Sequence, residues 1–423
     1  MARVSPFRPF RYTAEAGDLN SLVTQPYDKI PDELRERYLA ASPYNFVRII
    51  KGKPERPGDD VYEQAARLLD QWISEGVLAQ DAQPGFYPYF QEFSHPETGE
   101  RFVRQGFIGL LDLEEYEARV VHPHELTHRG PKADRLRLTE VTKSYFGQLF
   151  LLYDDPARQV DRLLEAAAAG EPLMQAEEEG VVHRVWRLDD PAAAAAVQEV
   201  LADRKLLIAD GHHRYETALA YRRAHPGVPG AARVMAALVN MSAPGLVVLA
   251  THRLLSGISG FKPEAFRATA SEYFHVDQLE DADELQERLE SAPRDESAIG
   301  GVFAGDPAGY LFRVRPETID SLLGHLSSAQ KRLDVVILHR TLLGAALELT
   351  EEDVADLKHI DYVRGFDNAV SAVEQGRAQA AFLLRPVEAR QVAEVAFSGG
   401  VMPQKSTDFY PKLLSGFTTY RFG

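Results

Sequence analysis

The chain of 423 residues contains no cysteine. Disulfides, zinc ribbons and thiol catalysis are excluded by that absence alone. Long apolar runs are missing too. No stretch reaches the ~18 apolar residues that a membrane-spanning helix needs, so no membrane association is expected. The first ten residues, MARVSPFRPF, lack the apolar core of a secretory signal, which makes a cytoplasmic location the expectation. Positive charge is in deficit: 47 Lys and Arg stand against 63 Asp and Glu, a formal net charge of −16. General nucleic-acid binding depends on neutralising phosphates, so no nucleic-acid partner is expected. Three nucleotide signatures are also absent. There is no GxxxxGK[ST], no GxGxxG after a strand, and no HRD or DFG pair, so a kinase here would need a different nucleotide site.

What is present is an ordinary globular composition, 45% hydrophobic and 26% charged,. The length suggests two or three domains. Asp59 to Val77 has helical periodicity, with Val61, Ala65, Leu68, Leu69, Trp72 and Ile73 on one face. FYPYFQEF and FVRQGFIGLLDL, broken by HPETGER, predict a β-hairpin. Gln148–Tyr153, Arg233–Asn240 and Leu246–Thr251 predict strands, and AIGGVFAG with GYLFRVRP a second hairpin. Pro191 opens an alanine-rich helix to about Arg204. Asn368–Gln375 and Val387–Val395 predict short helices. Strands and helices alternate without a strict βαβ rhythm, so the fold class is mixed α/β or α+β. The expected regions are an N-terminal α/β region over 1–120, a central domain over 121–315, and a C-terminal helical region with tail over 316–423.

The densest chemistry lies in KLLIADGHHRYETALAYRRAH, Lys205 to His225. KLLIA is a short buried strand, and Tyr215, Ala218 and Leu219 repeat at helical spacing. Asp210 and Gly211 make the turn between them. His212, His213 and Arg214 therefore sit at a helix N-terminus, where backbone N–H groups lack partners and the helix dipole favours an anion. Glycine admits close approach of a ligand to the backbone. Arginine adds a bidentate fork for phosphate. The pattern reads as a phosphate cradle with Asp210 placed for Mg²⁺ or proton transfer. The bland alternative is a helix capped by Asp210, with solvated histidines.

A second basic cluster spans Val120 to Ser144. It carries His122, His124, Glu125, His128, Arg129, Lys132, Arg135 and Arg137. His124, Glu125 and His128 formally match HExxH, a zinc-hydrolase pattern when it lies on a helix. Gly130 and Pro131 would end that helix at once, and no third ligand follows at short spacing. A basic loop in which Arg129, Lys132 and Arg135 meet phosphates, with Glu125 or Asp134 as acid or base, is the better reading; a plain solvated loop is the alternative. TQPYDKI is a proline-fixed turn that ends at Asp28, either structural or part of a site. NFVRIIKG reads as an apolar strand with Arg48 buried in it, which would require a partner. His252 and Arg253 form another pair at a strand end. Lys405, Ser406 and Thr407 offer phosphate donors on a C-terminal loop.

Six motifs, QPYDKI, NFVRI, HELTHRGPKADRL, ADGHHRYETA, ATHRL and MPQKSTDFYPKLLSG, occur in that order along nearly the whole chain. In them the sequence resembles a widespread bacterial and archaeal family catalogued as a domain of unknown function. DGHHR is further similar to the phosphate-binding signature of the ParB/sulfiredoxin-like fold, which includes nucleotide-dependent kinases of free serine. That resemblance implies a ParB/sulfiredoxin-like nucleotide-binding core with additional N- and C-terminal elements. It also implies ATP or ADP with Mg²⁺ as cofactors, and phosphorylation of free serine to phosphoserine. On this view Gly211, His212, His213 and Arg214 hold the phosphates and Asp210 binds Mg²⁺ or orients the hydroxyl. Glu125 or Asp28 accepts its proton, while Arg129, Lys132 or Lys405 stabilises the transferring group. Sulfiredoxins carry a cysteine in this turn, so their chemistry is excluded. ParB proteins hydrolyse CTP, which leaves a nucleotide switch acting through a partner as the alternative, with the zinc hydrolase behind it. A small-molecule substrate is the expected partner, and a homodimer is an open option.

Overall fold

A computed structural model describes the chain except residues 55, 126–129, 356 and 423. Its packing resolves two compact units. The first comprises residues 1–123, 127–247 and 411–423, and the second 124–126 and 248–410. The chain thus leaves its first unit near Val247 and returns to it at Pro411. The fold is mixed α/β, as the irregular alternation of strands and helices suggests. No helix among the described residues is long and apolar enough to cross a membrane.

The large sheet of the first unit contains β1 (Val4–Ser5), β2 (Tyr87–Ser94), β3 (Arg101–Asp112), β4 (Val121–His122), β5 (Leu149–Tyr153), β6 (Met174–Glu178), β7 (Val181–Val185), β8 (Leu206–Asp210) and β9 (Arg233–Asn240). They form one sheet in the order β4-β8-β5-β9-β3-β2-β7-β6, with β1 added alongside β3. The β8–β4 and β5–β9 pairs are parallel and the others antiparallel. The β2–β3 hairpin turns through the predicted break. There, His95 N–H donates to the Glu100 carbonyl at 2.7 Å.

Helix α1 (Val61–Ser74) follows the apolar period of the sequence. Asp60 caps it by accepting from the Tyr62 and Glu63 N–H groups. Its buried Ala65, Leu69 and Trp72 join Tyr12, Phe46, Leu138 and Phe146 in one core. Helix α2 (Gly130–Thr142) replaces much of the basic loop expected between Val120 and Ser144. A proline near the start loses no hydrogen bond, because first-turn N–H groups have no intrahelical acceptor. Helix α3 (Pro191–Ala202) is capped by Asp190, and α4 (His212–Ala224) follows the polar turn after β8.

NFVRIIKG is not a strand. Val47–Ile50 is a single helical turn. Asn45 starts it, accepting from Val47 N–H at 2.9 Å through its side chain. A short, uninterrupted apolar run cannot be assigned by periodicity, and here the local cap decides. Arg48 finds its partners in the carbonyls of Leu39, at 2.7 Å, and Ser42, at 3.3 Å, where the helix Asp32–Ala41 ends. Cations are favoured at such carbonyl ends.

The second unit has an antiparallel sheet of β10 (His252–Leu255), β11 (Phe274–Leu279), β12 (Ile299–Phe303), β13 (Asp306–Val314), β14 (Ile360–Val363) and β15 (Ala380–Leu384). The order is β11-β13-β12-β15-β10-β14. Helices α5 (Ala282–Ser291) and α6 (Phe366–Glu374) pack on it through Leu285, Leu289, Ala369, Ala372 and Val373. Helix α7 (Ala389–Phe397) follows β15. The division near Val247 lies between the boundaries suggested at 120 and 315. Strand β4 pairs with β8 in the first sheet, and β13 continues the second.

Candidate functional site

The site begins with a defect in a strand. Along β8 the pairing with β5 runs Ile208 to Leu151 and then Asp210 to Phe150, so Ala209 is an extra residue. Such a bulge re-aims the side chain that follows it. Gly211 then adopts φ +100°, a conformation that costs an L side chain,. A Cβ at Gly211 would meet the Arg214 guanidinium at 3.1 Å, so the missing side chain also leaves room for that group. Helix α4 starts at His212, with Gly211 as its cap and no side-chain capping bond. Asp210 is therefore not the helix cap. It accepts instead from Arg214 Nη2 at 3.1 Å.

Arg214 folds back over the turn. Its Nη1 donates to the Gln148 carbonyl beside Gly147. Asp210 is a partly covered carboxylate among cations. Burial pushes its pKa up, but Lys412, Arg214, His212 and Lys29 outweigh this and hold it below the ordinary carboxylate range. Two of these cations come from distant sequence. Lys29 closes the QPYDKI turn, which is pinned by Lys51 Nζ on the Tyr27 and Ile30 carbonyls at 3.3 and 2.5 Å. Lys412 lies in the tail that returns to this unit.

That tail is held by buried polar groups. Arg104 is 1% exposed and donates to Gln91 Oε1 and to the Pro411 carbonyl. Gln91 Nε2 donates to the Lys412 carbonyl at 3.0 Å. Leu414 N–H donates to Tyr89 Oη at 3.2 Å, and Tyr89 bonds His183 Nδ1 at 2.7 Å. Thr24 and Ser415 exchange backbone bonds of 3.0 and 2.8 Å, which joins the tail to the loop before Tyr27.

Next to Arg214 lies a small cleft. Tyr27, Arg135, Tyr145, Phe146, Gly147 and Arg214 are among its walls. The Arg135 guanidinium lies over the Tyr27 ring, 4.1 Å from its centroid. Its charge is answered by Asp134, which also accepts from Tyr62 Oη at 2.7 Å.

The remaining candidates are distributed as follows. Asp28 is exposed, next to Tyr27. His213 is half-buried, and its carbonyl accepts from the Thr217 hydroxyl at 2.7 Å. Lys132 is ion-paired with Glu216 on α4. Arg129 and His128 lie outside the described residues. Glu125 and Lys405 belong to the second unit. There His124 is fully buried and bonds Thr407 Oγ1 through Nε2 at 2.8 Å. Glu125 forms an extended bridge with Met402. Glu125 of HELTH is thus extended, whereas a zinc HExxH needs one continuous helix,. Among the described residues no three His, Asp or Glu side chains converge as a metal site.

Lys405 is exposed and takes φ +55°. Its carbonyl accepts from Arg253 Nη2 at 3.2 Å. Ser406 Oγ turns inward to the Pro403 carbonyl. Arg253 is 1% exposed, and burial pushes its pKa down to about 10. Arg253 therefore holds the Lys405 loop from within, whereas His252 accepts from Leu384 N–H at 3.2 Å.

Lys29, Lys412 and Tyr27 were not singled out from sequence, and Arg135 was expected to meet phosphate and not to lie over the Tyr27 ring. One signal did exist: all four lie in the motifs QPYDKI, HELTHRGPKADRL and MPQKSTDFYPKLLSG.

A bulged strand end, a left-handed glycine and a carboxylate with basic neighbours meet at one strand–helix joint of this mixed α/β protein. The chain belongs to the family described as protein of unknown function (DUF1015), whose profile matches residues 4–336. No curated protein matches it. Among solved structures it is similar to a free serine kinase in complex with AMP. There the identity is 16% and the TM-score 0.35, with 69% of this chain and 86% of the other covered. A mutant free serine kinase in complex with ADP is similar at 15% identity and TM-score 0.35, covering 69% and 87%. A conserved hypothetical protein from Pyrococcus furiosus is similar at 15% identity and TM-score 0.34, covering 69% and 90%.

Proposed function

We propose that this chain is a nucleotide-dependent kinase of a small hydroxyl compound, with free serine as the acceptor. The observation that carries the reading is the Asp210–Arg214 pair at the bulged strand end, with Lys412, His212 and Lys29 near enough to act on the carboxylate. Such a gathering of basic side chains, beside the first N–H groups of α4, suits the phosphates of ATP or ADP. The similarity of DGHHR to the motif of free serine kinases supports serine as the acceptor.

Catalysis of this kind consists mostly of positioning and charge stabilisation. Arg214 is fixed by Asp210 and the Gln148 carbonyl, so its fork is oriented before a ligand arrives. Lys412 and Lys29 supply further positive charge for the group in flight. In the step itself, the bond between the terminal phosphorus and the nucleotide's bridging oxygen breaks. A bond from phosphorus to the acceptor's hydroxyl oxygen forms, and the hydroxyl proton passes to Asp28, which adjoins Lys29. Mg²⁺ is commonly held by one or two carboxylates together with phosphates and water. Asp210, ionised and with 30% of its side chain exposed, fits that role, and the ion would neutralise phosphate charge there.

The test is a mass-spectrometric assay of the purified chain with Mg²⁺, serine, and ATP, ADP or CTP in turn. The expected outcome is phosphoserine, reduced at least ~100-fold by Asp210→Asn and by Arg214→Ala. Variants at Asp28 and Glu125 separate the two candidate proton acceptors. Nucleotide binding without any phosphorylated serine would overturn the reading in favour of a nucleotide switch.

A further inference from the structure

We infer that Tyr153, Asp155 and Asp161 form a site for a monovalent metal cation, K⁺ or Na⁺, in the interior of the first unit. The site is distinct from the Asp210–Arg214 joint. Strands β5 and β8 run antiparallel with Asp210 opposite Phe150, so Tyr153 closes β5 at the other end.

Two carboxylates are buried here with too few donors. Asp155 and Asp161 are both fully buried. Their Oδ2 atoms are well served. Asp155 Oδ2 accepts from the Gln159 and Val160 N–H groups at 2.6 and 3.1 Å, where the helix Gln159–Ala167 begins. Asp161 Oδ2 accepts from Arg158 Nε and Asn240 Nδ2, each at 3.0 Å. The Oδ1 atom of each carboxylate has no hydrogen-bond partner among the described residues. Asn240 is already spent. Its Nδ2 also donates to the Asp155 carbonyl at 2.8 Å, and its Oδ1 accepts from the Asp155 and Ser242 N–H groups at 2.9 and 3.1 Å.

The charge is not balanced either. The two carboxylates share one guanidinium, that of Arg158, which also pairs with Glu165 at 3.2 Å. The helix N-terminus adds only about half a positive charge. Buried charge is costly unless it is paired, so a negative excess calls for a partner. One monovalent cation matches that excess. A divalent ion would overshoot it, and among the described residues no three His, Asp or Glu side chains converge as such an ion prefers,.

A third oxygen, from a separate strand, completes the set. Tyr153 is fully buried, and its hydroxyl has no partner among the described residues. Its Cα pairs with Asn240 across the parallel β5–β9 ladder, so the two side chains leave the same face of the sheet,. On that face Asn240 bonds Asp161. Burial, and then the charges of Asp161 and Asp155, push the Tyr153 pKa well up and keep the hydroxyl neutral. Two carboxylate oxygens and a hydroxyl oxygen are hard donors, which suit a hard cation. Buried polar atoms rarely stay unpaired, and one ion would serve all three.

The experiment follows thermal unfolding of the full chain, dialysed free of alkali metals, in potassium, sodium or choline chloride at equal ionic strength. The expected midpoint is roughly 2–10 °C higher in potassium or sodium than in choline. Tyr153→Phe removes one oxygen and should reduce that difference, with the midpoint in choline equal to or above the parent's. Asp155→Asn drops the charge but retains a capping side chain, and should abolish the difference. Thallium(I), an anomalous scatterer, locates the ion directly: soaked crystals should show a peak among the three oxygens. Should Asp155→Asn not fold, Tyr153→Phe and the thallium peak still decide. Equal midpoints in all three salts overturn the site and leave its oxygens to a buried water. A difference that the folded variants retain in full, or a thallium peak only elsewhere, overturns its location. A larger rise in calcium or magnesium chloride than in potassium chloride overturns the choice of a monovalent ion.

Discussion

Replacing Arg104 with methionine should cost the protein about 2–4 kcal/mol and, with it, much of the phosphate affinity proposed for the joint at Asp210. Arg104 is a fully buried side chain whose guanidinium lies 4.6 Å from the centre of the Phe150 ring. It donates to Gln91 Oε1 and to the Pro411 carbonyl, both in the interior. Methionine fills most of the same volume but donates nothing. Two buried acceptors would lose a partner, at roughly 1–3 kcal/mol each, and the ring contact would add up to about 2 kcal/mol. One effect opposes this. Burial strains the charge of Arg104 itself, pushing its pKa down to about 9, and the substitution relieves that strain,. The balance remains a loss, because acceptors left in place are dearer than a pair removed together. The assay is urea unfolding at neutral pH, with a pyrophosphate titration alongside. Gln91 and Arg104 hold the backbone at Pro411 and Lys412, so a loosened tail would also withdraw Lys412 from Asp210. Unchanged stability together with unchanged pyrophosphate affinity would refute the argument.

Further outcomes follow from the same geometry. Gly211→Ala should destabilise by about 1–2 kcal/mol, since φ +100° is strained for alanine, and should displace Arg214; thermal melting and pyrophosphate titration measure the two effects,. Lys412→Ala should weaken pyrophosphate by roughly ten- to a hundredfold, in line with the loss of one charge-assisted bond, with little change in unfolding midpoint. The protein should also lose stability in mild acid. Burial, aided by nearby Arg104 and Arg253 respectively, lowers the pKa of His183 to about 3 and of His252 to about 4. In the unfolded chain each ring takes a proton as pH falls through ~6.5. Between those values the unfolded state binds more protons, so stability declines as pH falls and recovers towards neutrality. Unfolding midpoints at pH 7 and pH 4.5 test this, and His183→Gln should make the slope between them shallower.

Much of the local structure was readable because its cause is local. The helix Val61–Ser74 follows from an apolar period and an aspartate cap, and the β2–β3 hairpin from two β-rich runs around a turn. The strand–turn–helix at Asp210 was legible for the same reason: only glycine tolerates the φ that the turn takes,. Readings failed where a short apolar segment had no period to betray it, as in Val47–Ile50, or where a charged segment without an apolar stripe was read as loop, as in Gly130–Thr142,.

The sequence by itself therefore determined the elements, the acidic background without cysteine, and one polar joint able to meet an anion. Tertiary structure alone decided which charges gather there. Lys29 and Lys412 are nearly the whole chain apart, and no spacing rule links them. They face one carboxylate because the tail re-enters the first unit and is tied down by Arg104, Gln91 and Tyr89. Contacts of that range are set by how buried donors and acceptors find partners once the sheet has formed, a condition the whole fold satisfies together and no single segment encodes.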